Sequence, residues 1–234
     1  MKTVLLRLEG PLQAWGTQGR FSIRETDGEP SKSGILGLVA AALGMARDNA
    51  QMLSRLVTLR LAIRVDREGR PLRDYHTAGG GKFRGQKYAV WARGNKEGEV
   101  VVTQRHYLAD ASFVAALGGE DLALVDQIAK AVQDPVWPLF LGRKACVPSA
   151  PLFEGVVNCG PEDAVRGHPI IAVPAFSAIA SRRIRLVLEA SPDAVGARPR
   201  HDVPLSFALY DRRHTRRFVT VEWMSVPPPL EVAS

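Results

Sequence analysis

Four segments of this 234-residue chain combine side chains suited to holding a phosphodiester strand. Residues 10–16 (GPLQAWG) place Gln13, Ala14, Trp15 and Gly16 on a turn, where a carboxamide and an indole can hydrogen bond to and stack on a nucleotide. The same residues also read as a turn whose Trp15 plugs the core. Lys32 and Ser33 stand at a predicted helix start, where free N–H groups and the helix dipole favour a phosphate. An ordinary N-cap would use the same residue types. Residues 70–107 carry eight Lys/Arg against three Asp/Glu, and include Arg73, Tyr75, His76, Thr77, Lys82, Arg84, Lys87, Arg105, His106 and Tyr107. Cations for phosphates and aromatics for bases make up the usual single-strand site. A solvated hairpin with cross-strand aromatic pairs would look similar. Finally, Gly142, Arg143 and Lys144 set a glycine beside two cations, a pattern suited to phosphate contact.

Catalysis is the competing chemistry. His76 and His106 flank the basic stretch, and a His working with Tyr or Lys can cleave RNA without metal by activating a 2′-hydroxyl. No spacing fixes that geometry, so binding leads and a metal-independent endoribonuclease is the alternative. Asp and Glu show no pairing that suits a two-metal site. Cys146 and Cys159 stand alone, with no Cys-x-x-Cys and no clustered His, so no metal and no cofactor is expected.

The charge balance agrees with a polyanionic partner. There are 31 Lys+Arg against 24 Asp+Glu, a net charge of +7. Seven of the cations are Lys, which leaves 24 Arg, the residue whose planar fork grips phosphate. A GC-rich genome would give the same skew. With 46% apolar and 24% charged residues, the chain should fold as a soluble globule. The first residues, MKTVLLR, are too short an apolar run for a signal peptide, and residues 35–46 are too short for a membrane span. A cytoplasmic protein without a membrane partner is expected.

The elements that must position these residues follow from periodicity. Residues 3–8 read as a central strand and 9–30 as a loop. Residues 34–44 read as a helix apolar nearly all round, capped by Ser31 or Ser33, in which Gly37 calls for close packing or ligand approach. A short helix around Met52 to Val57 follows. Residues 59–66 alternate as a half-buried strand. Within 70–107, the runs 88–92 and 100–104 flank a turn at 94–98 and predict a protruding hairpin. A buried strand over 110–117, a helix from Leu122 to Val132 stopped at Asp134–Pro135, and a strand around 138–143 complete a split β-α-β pattern. The predicted class is therefore α+β, with a ferredoxin-like domain over residues 1–150. A smaller, mainly β part over 151–234 carries strands near 183–189 and 218–223, and its proline-rich tail at 227–229 is expected to end order.

Taken together, residues 7–16, 31–38, 72–77, 105–113 and 140–146 resemble, in order and spacing, the N-terminal signature of the CasD family of CRISPR-associated proteins. This is the type I-E member of the "Cas five" branch of repeat-associated (RAMP) RNA-binding proteins. The C-terminal third matches only loosely. The resemblance implies a non-catalytic subunit of the Cascade surveillance complex that grips the 5′ handle of the CRISPR RNA. Its β-hairpin thumb would cap the backbone subunits, next to the large subunit that recognises the PAM, and target DNA would be met only through the complex. On this reading residues 70–107 hold the thumb and its root. Residues 13–16, Lys32 with Ser33, and residues 142–144 line the handle groove. Relatives in another subtype cleave precursor RNA, which keeps the endoribonuclease alternative open.

Overall fold

The apolar run at the start of the chain forms β1 (Lys2–Glu9), in which Val4, Leu5, Leu6 and Leu8 are all buried. A computed structural model describes residues 1–16, 19–20, 22–83, 85–88, 100–170 and 182–226. After β1 come three two-residue strands, β2 (Leu12–Gln13), β3 (Gly19–Arg20) and β4 (Ile23–Arg24), and then the helices α1 (Lys32–Ala42) and α2 (Ala50–Leu56). Next are β5 (Arg60–Arg67), β6 (Arg70–Ala78), β7 (Gly81–Phe83), β8 (Gln86–Tyr88) and β9 (Val101–Ala109). They lead to β10 (Ser112–Gly119), α3 (Leu122–Gln133), β11 (Phe153–Val157) and α4 (Pro161–Gly167). The strands β12 (Arg182–Ala190), β13 (Arg198–Ser206) and β14 (Arg213–Val226) close the order of this mixed α/β fold.

Seven strands form the main sheet in the order β11-β1-β10-β5-β12-β14-β13, with antiparallel neighbours throughout. The apolar stripes of α1 and α3 cover one face, where Ile35, Leu36, Val39, Leu124, Val125 and Ile128 meet Leu6, Leu8, Ile63 and Phe113. Ala164 and Val165 of α4 cover the other face, against Leu5, Ala62, Val114 and Leu186. Covering both faces explains why β10 is buried at every position and reads as a continuous apolar run. Ser31, not Ser33, caps α1: its Oγ accepts from Gly34 N at 3.2 Å. Asp121 caps α3 in the same way, accepting from Leu124 N at 3.0 Å. In α1 the closely packed glycine is Gly34, where a Cβ would stand 2.8 Å from the Trp15 ring. A Cβ on Gly37 would meet nothing within 4 Å, so the close packing expected there as one alternative is not found.

Several expectations need correction. β5 is not half-buried: all but its two end residues are buried, including Arg64 and Asp66. Arg64 donates from Nε and Nη2 to the Asp66 carboxylate at 2.6 and 3.0 Å. Its remaining N–H groups reach the carbonyls of Val165 (2.9 Å), His168 and Pro169 (2.8 Å), which the end of α4 leaves without helical partners. No strand forms at 138–143. Leu141 N bonds Cys146 O and Cys146 N bonds Arg143 O, each at 2.8 Å, and Gly142 sits at φ +94°, so the segment closes on itself as a turn. The strand expected from residue 110 begins at Ser112, because Asp110 turns the chain at φ +58°. The loop at 9–30 contains β2, β3 and β4.

Of the expected hairpin arms, residues 101–104 fall within β9 and Tyr88 ends β8; β9 pairs β6 from Arg70↔Ala109 to Ala78↔Val101, and β7 pairs β8 beyond them. The expected run at 89–92 and turn at 94–98, and the tail at 227–234, lie outside the described residues. The C-terminal strands continue the main sheet, since β12 pairs β5 directly, from Arg185↔Val65 to Leu188↔Ala62. No described helix is long and apolar enough to cross a membrane.

Candidate nucleic-acid interface

A second sheet is built on β9, which pairs β6 along one edge and both β2 and β4 along the other. Directly paired residues point to the same side, and successive residues to opposite sides. One face therefore carries Leu72 with Tyr107, Asp74 with Arg105, and His76 with Thr103; the parallel β4 pair adds Arg24 beside Arg105. The opposite, open face carries Arg73 with His106, Tyr75 with Gln104, and Thr77 with Val102. There the Tyr75 ring is 66% exposed.

Arg143 is seated on the first of these faces. Its guanidinium lies 4.8 Å from the centre of the Tyr107 ring and donates to the carbonyls of His106 (2.9 Å), Arg24 (2.7 Å) and Glu25 (3.2 Å). All three partners are neutral oxygens, so the positive charge is anchored but not cancelled. Two glycines permit this approach. A Cβ on Gly142 would fall 1.8 Å from Ala14 O, and one on Gly16 would fall 2.5 Å from Glu25 O. Lys144 is exposed beside Arg143. Arg105 donates from Nε to Thr103 Oγ1 at 3.2 Å, and His76 Nδ1 stands 3.6 Å from Asp74 Oδ2. Among the described residues, Arg24, Arg105, Arg143 and Lys144 join no ion pair. The cations buried elsewhere are neutralised: Arg64 by Asp66, Arg185 by Glu29 and Glu68, and Arg217 by Asp202 and Glu189.

Other residues expected at the interface lie behind it. Gln13 is wholly buried: its Nε2 donates to Leu8 O (2.9 Å) and Ala111 O (2.8 Å), and its Oε1 accepts from Trp15 Nε1 at 2.9 Å. Ala14 and Trp15 are also buried, so the turn takes the core-plugging alternative and braces the face from within. Lys32 is not at the surface either. Its Nζ meets Glu189 at 2.9 Å, and its backbone N–H donates to Asp202 Oδ2 at 2.7 Å. Asp202 thus occupies the helix start where a phosphate was expected, and the Arg217 fork clasps the same carboxylate at 2.8 and 2.9 Å.

Burial lowers the Lys32 pKa from its usual range even against the pull of Glu189. Burial, the largest single effect, pushes the Asp202 carboxyl upward, but the hydrogen bonds and positive charges of Arg217 and Lys32 together hold it below the ordinary range. Ser33 contacts Ser31 hydroxyl to hydroxyl at 3.3 Å. Lys82 and Lys87 pair across β7 and β8, while Arg84 lies outside the described residues. Arg24 was not singled out in the sequence. A two-residue strand leaves no periodic signal, and only its pairing to Arg105 places it here.

Comparison with known proteins gives concordant matches. The family model described as CRISPR-associated protein (Cas_Cas5) matches residues 3–220. The "CRISPR system Cascade subunit CasD" of Escherichia coli (strain K12) is 35% identical over 186 residues, covering 74% of this chain and 80% of that relative. A chain of a solved "CRISPR RNA-guided surveillance complex" superposes with a TM-score of 0.79 at 33% identity, covering 99% of this chain and 93% of that one. A "Crystal structure of Cas protein" aligns with a TM-score of 0.68 at 33% identity, covering 97% and 98%.

Proposed function

The chain belongs to the CRISPR-associated Cas5 family, and from that membership we propose a non-catalytic, RNA-binding subunit of a Cascade-type surveillance complex in cytoplasmic antiviral defence. It grips the 5′ handle of the CRISPR RNA. The observation that carries this reading is the convergence of Arg24, Arg105 and Arg143 on one side of the β9 sheet, with the exposed Lys144 next in sequence; Asp74 lies across from Arg105, yet none of these cations forms an ion pair among the described residues. Such cations hold a sugar–phosphate chain and release counterions as it binds. Arg73, Tyr75, Thr77 and His106 on the open face meet nucleotides further along, with Tyr75 as a stacking surface.

The strand order β11-β1-β10-β5, with α1 and α3 on one side, supports a ferredoxin-like domain over residues 1–150 whose edge strand β11 comes from just past that boundary, extended by a mainly β part over the rest of 151–234. The β6–β9 hairpin, with the small β7–β8 pair beyond it, is the thumb that caps the backbone subunits beside the PAM-recognising subunit. Coexpression with the partner subunits, followed by RNA extraction, tests the proposal. RNAs sharing one repeat-derived 5′ segment are expected. Copurification of the assembly without RNA, or with RNAs of random 5′ ends, contradicts it.

One observation favours a second reading, metal-independent cleavage of precursor RNA: the imidazole of His76, with Nδ1 3.6 Å from the Asp74 carboxylate, shares its face with Arg105. Discrete cleavage of repeat RNA by pure protein in EDTA, lost in His76→Ala, would establish it. Intact RNA after long incubation would remove it.

A further inference from the structure

The β13–β14 hairpin, at the far edge of the main sheet from β11, carries a second concentration of positive charge. Residues 207–217 read FALYDRRHTRR, with four Arg and one His against a single Asp. Two of the arginines are engaged: Arg213 meets Asp211 at 2.9 Å, and Arg217 lies in the buried Asp202 network. Arg212 and Arg216 are exposed and join no ion pair among the described residues. The guanidinium of Arg216 stands 5.8 Å from the Phe218 ring centre, which restricts its orientation without cancelling its charge.

The turn itself is built, not loose. Phe207 packs on the core, Ala208 N donates to Ser206 Oγ at 3.1 Å, and Asp211 N donates to Ala208 O at 3.2 Å. This framework presents Tyr210 with 98% of its surface exposed and Leu209 with 61%. An ordered turn that offers a complete aromatic ring to water beside unneutralised guanidinium groups gains nothing for the monomer. It supplies the pair of groups that single-stranded nucleic acid uses, a π-surface for a base and cations for phosphates. Tyr and Arg also recur at protein–protein contacts, and release of a protein partner is therefore an outcome the test distinguishes.

We propose that the tip of the β13–β14 hairpin is a second binding surface for single-stranded nucleic acid, with its phosphates on Arg212 and Arg216 and a base on Tyr210. The proposal uses no residue of the β9 face and so stands apart from the handle reading.

The test uses the full chain carrying Arg105→Ala and Lys144→Ala, which weakens the β9 face, and a fluorescein-labelled uridine 20-mer followed by anisotropy over a salt series. Adding Arg212→Ala with Arg216→Ala should lower the slope of log K against log salt by about 1.4, two phosphates at roughly 0.7 each. Adding Tyr210→Ala instead should weaken binding about tenfold with little change of slope. All three side chains are exposed, so circular dichroism melts should match the parent; Arg→Gln versions serve as a second set. Failure of the parent variant to bind overturns the proposal, as does binding that none of these substitutions alters. It is likewise overturned if the substitutions spare oligonucleotide binding but release a protein partner from the assembled complex.

Discussion

Arg143 and Lys144 are adjacent in sequence yet do different work. Arg143 ties the 138–146 turn to three carbonyls on two other segments and covers Tyr107, whereas Lys144 is exposed beside it. Arg143→Ala should cost about 2 kcal/mol of stability, the scale of charge-assisted hydrogen bonds, and weaken RNA binding as well. Lys144→Ala should leave the urea midpoint unchanged and reduce the salt slope of RNA binding by about 0.7. Equal midpoints for the two variants would contradict this division. Asp202 gives a prediction in pH. Its carboxyl is held below the ordinary value of 3.8, so its stabilisation is complete at neutral pH and is withdrawn as pH falls from near 3.8 through the lower value of the fold. Asp202→Asn should cost about 3–5 kcal/mol at pH 7, because it leaves Arg217 and Lys32 under-compensated in the interior. Urea midpoints from pH 6 to 2 should flatten in the variant, and parallel curves would disprove the role. The sequence identified the chemistry of Gln13, Trp15 and Lys32 but not its direction. Ala111, which accepts from Gln13, and Asp202, which accepts from Lys32, lie 98 and 170 residues away along the chain, where no local pattern reports them.

At the level of elements, β1, α1, α2, β5, α3, β12 and β14 were legible because each carries either a continuous apolar run or an apolar stripe at its own period. The hairpin arms were less so. β6 is exposed or half-exposed at every position and its sequence shows no apolar alternation, so the apolar run at 88–92 drew the strand reading instead. Arg64 misled in the opposite sense: a charged residue in an alternating strand implies solvent, yet α4 presents it with three carbonyls. β9 belongs to the body through the buried Tyr107 and Leu108, whereas Val100 and Val102 toward the outer end of the hairpin are exposed. Replacing residues 79–100 by Asn-Gly should therefore leave the melting midpoint within a few degrees of wild type and retain the salt slope set by Arg24, Arg105, Arg143 and Lys144. The same deletion should abolish co-purification with the backbone subunit. A shortened protein that still assembles would show that the hairpin is not the capping element.

Over the whole molecule, the main sheet links both halves of the chain. β11 covers the edge of β1 and β12 covers the edge of β5, so a chain ended at residue 150 would bare Leu61, Ile63 and Val65 of β5 as well as the β1 edge. Open apolar edges of this kind aggregate. The truncated chain should be insoluble, and a monomeric, well-dispersed NMR spectrum from it would contradict the argument. The sequence offered strands near 183–189 and 218–223 without their partners, since pairing of β5 with β12 spans more than a hundred residues. The same long-range assembly brings Arg24, Arg105 and Arg143 together from three separate segments. Ultraviolet crosslinking and mass spectrometry of the assembled complex tests that convergence most directly. Crosslinks from the first nucleotides of the guide RNA to peptides containing Arg24, residues 73–77, residues 105–107 and residues 143–144 are the expected result. Crosslinks confined to other subunits, with this face of the chain protected only by polypeptide, would contradict it.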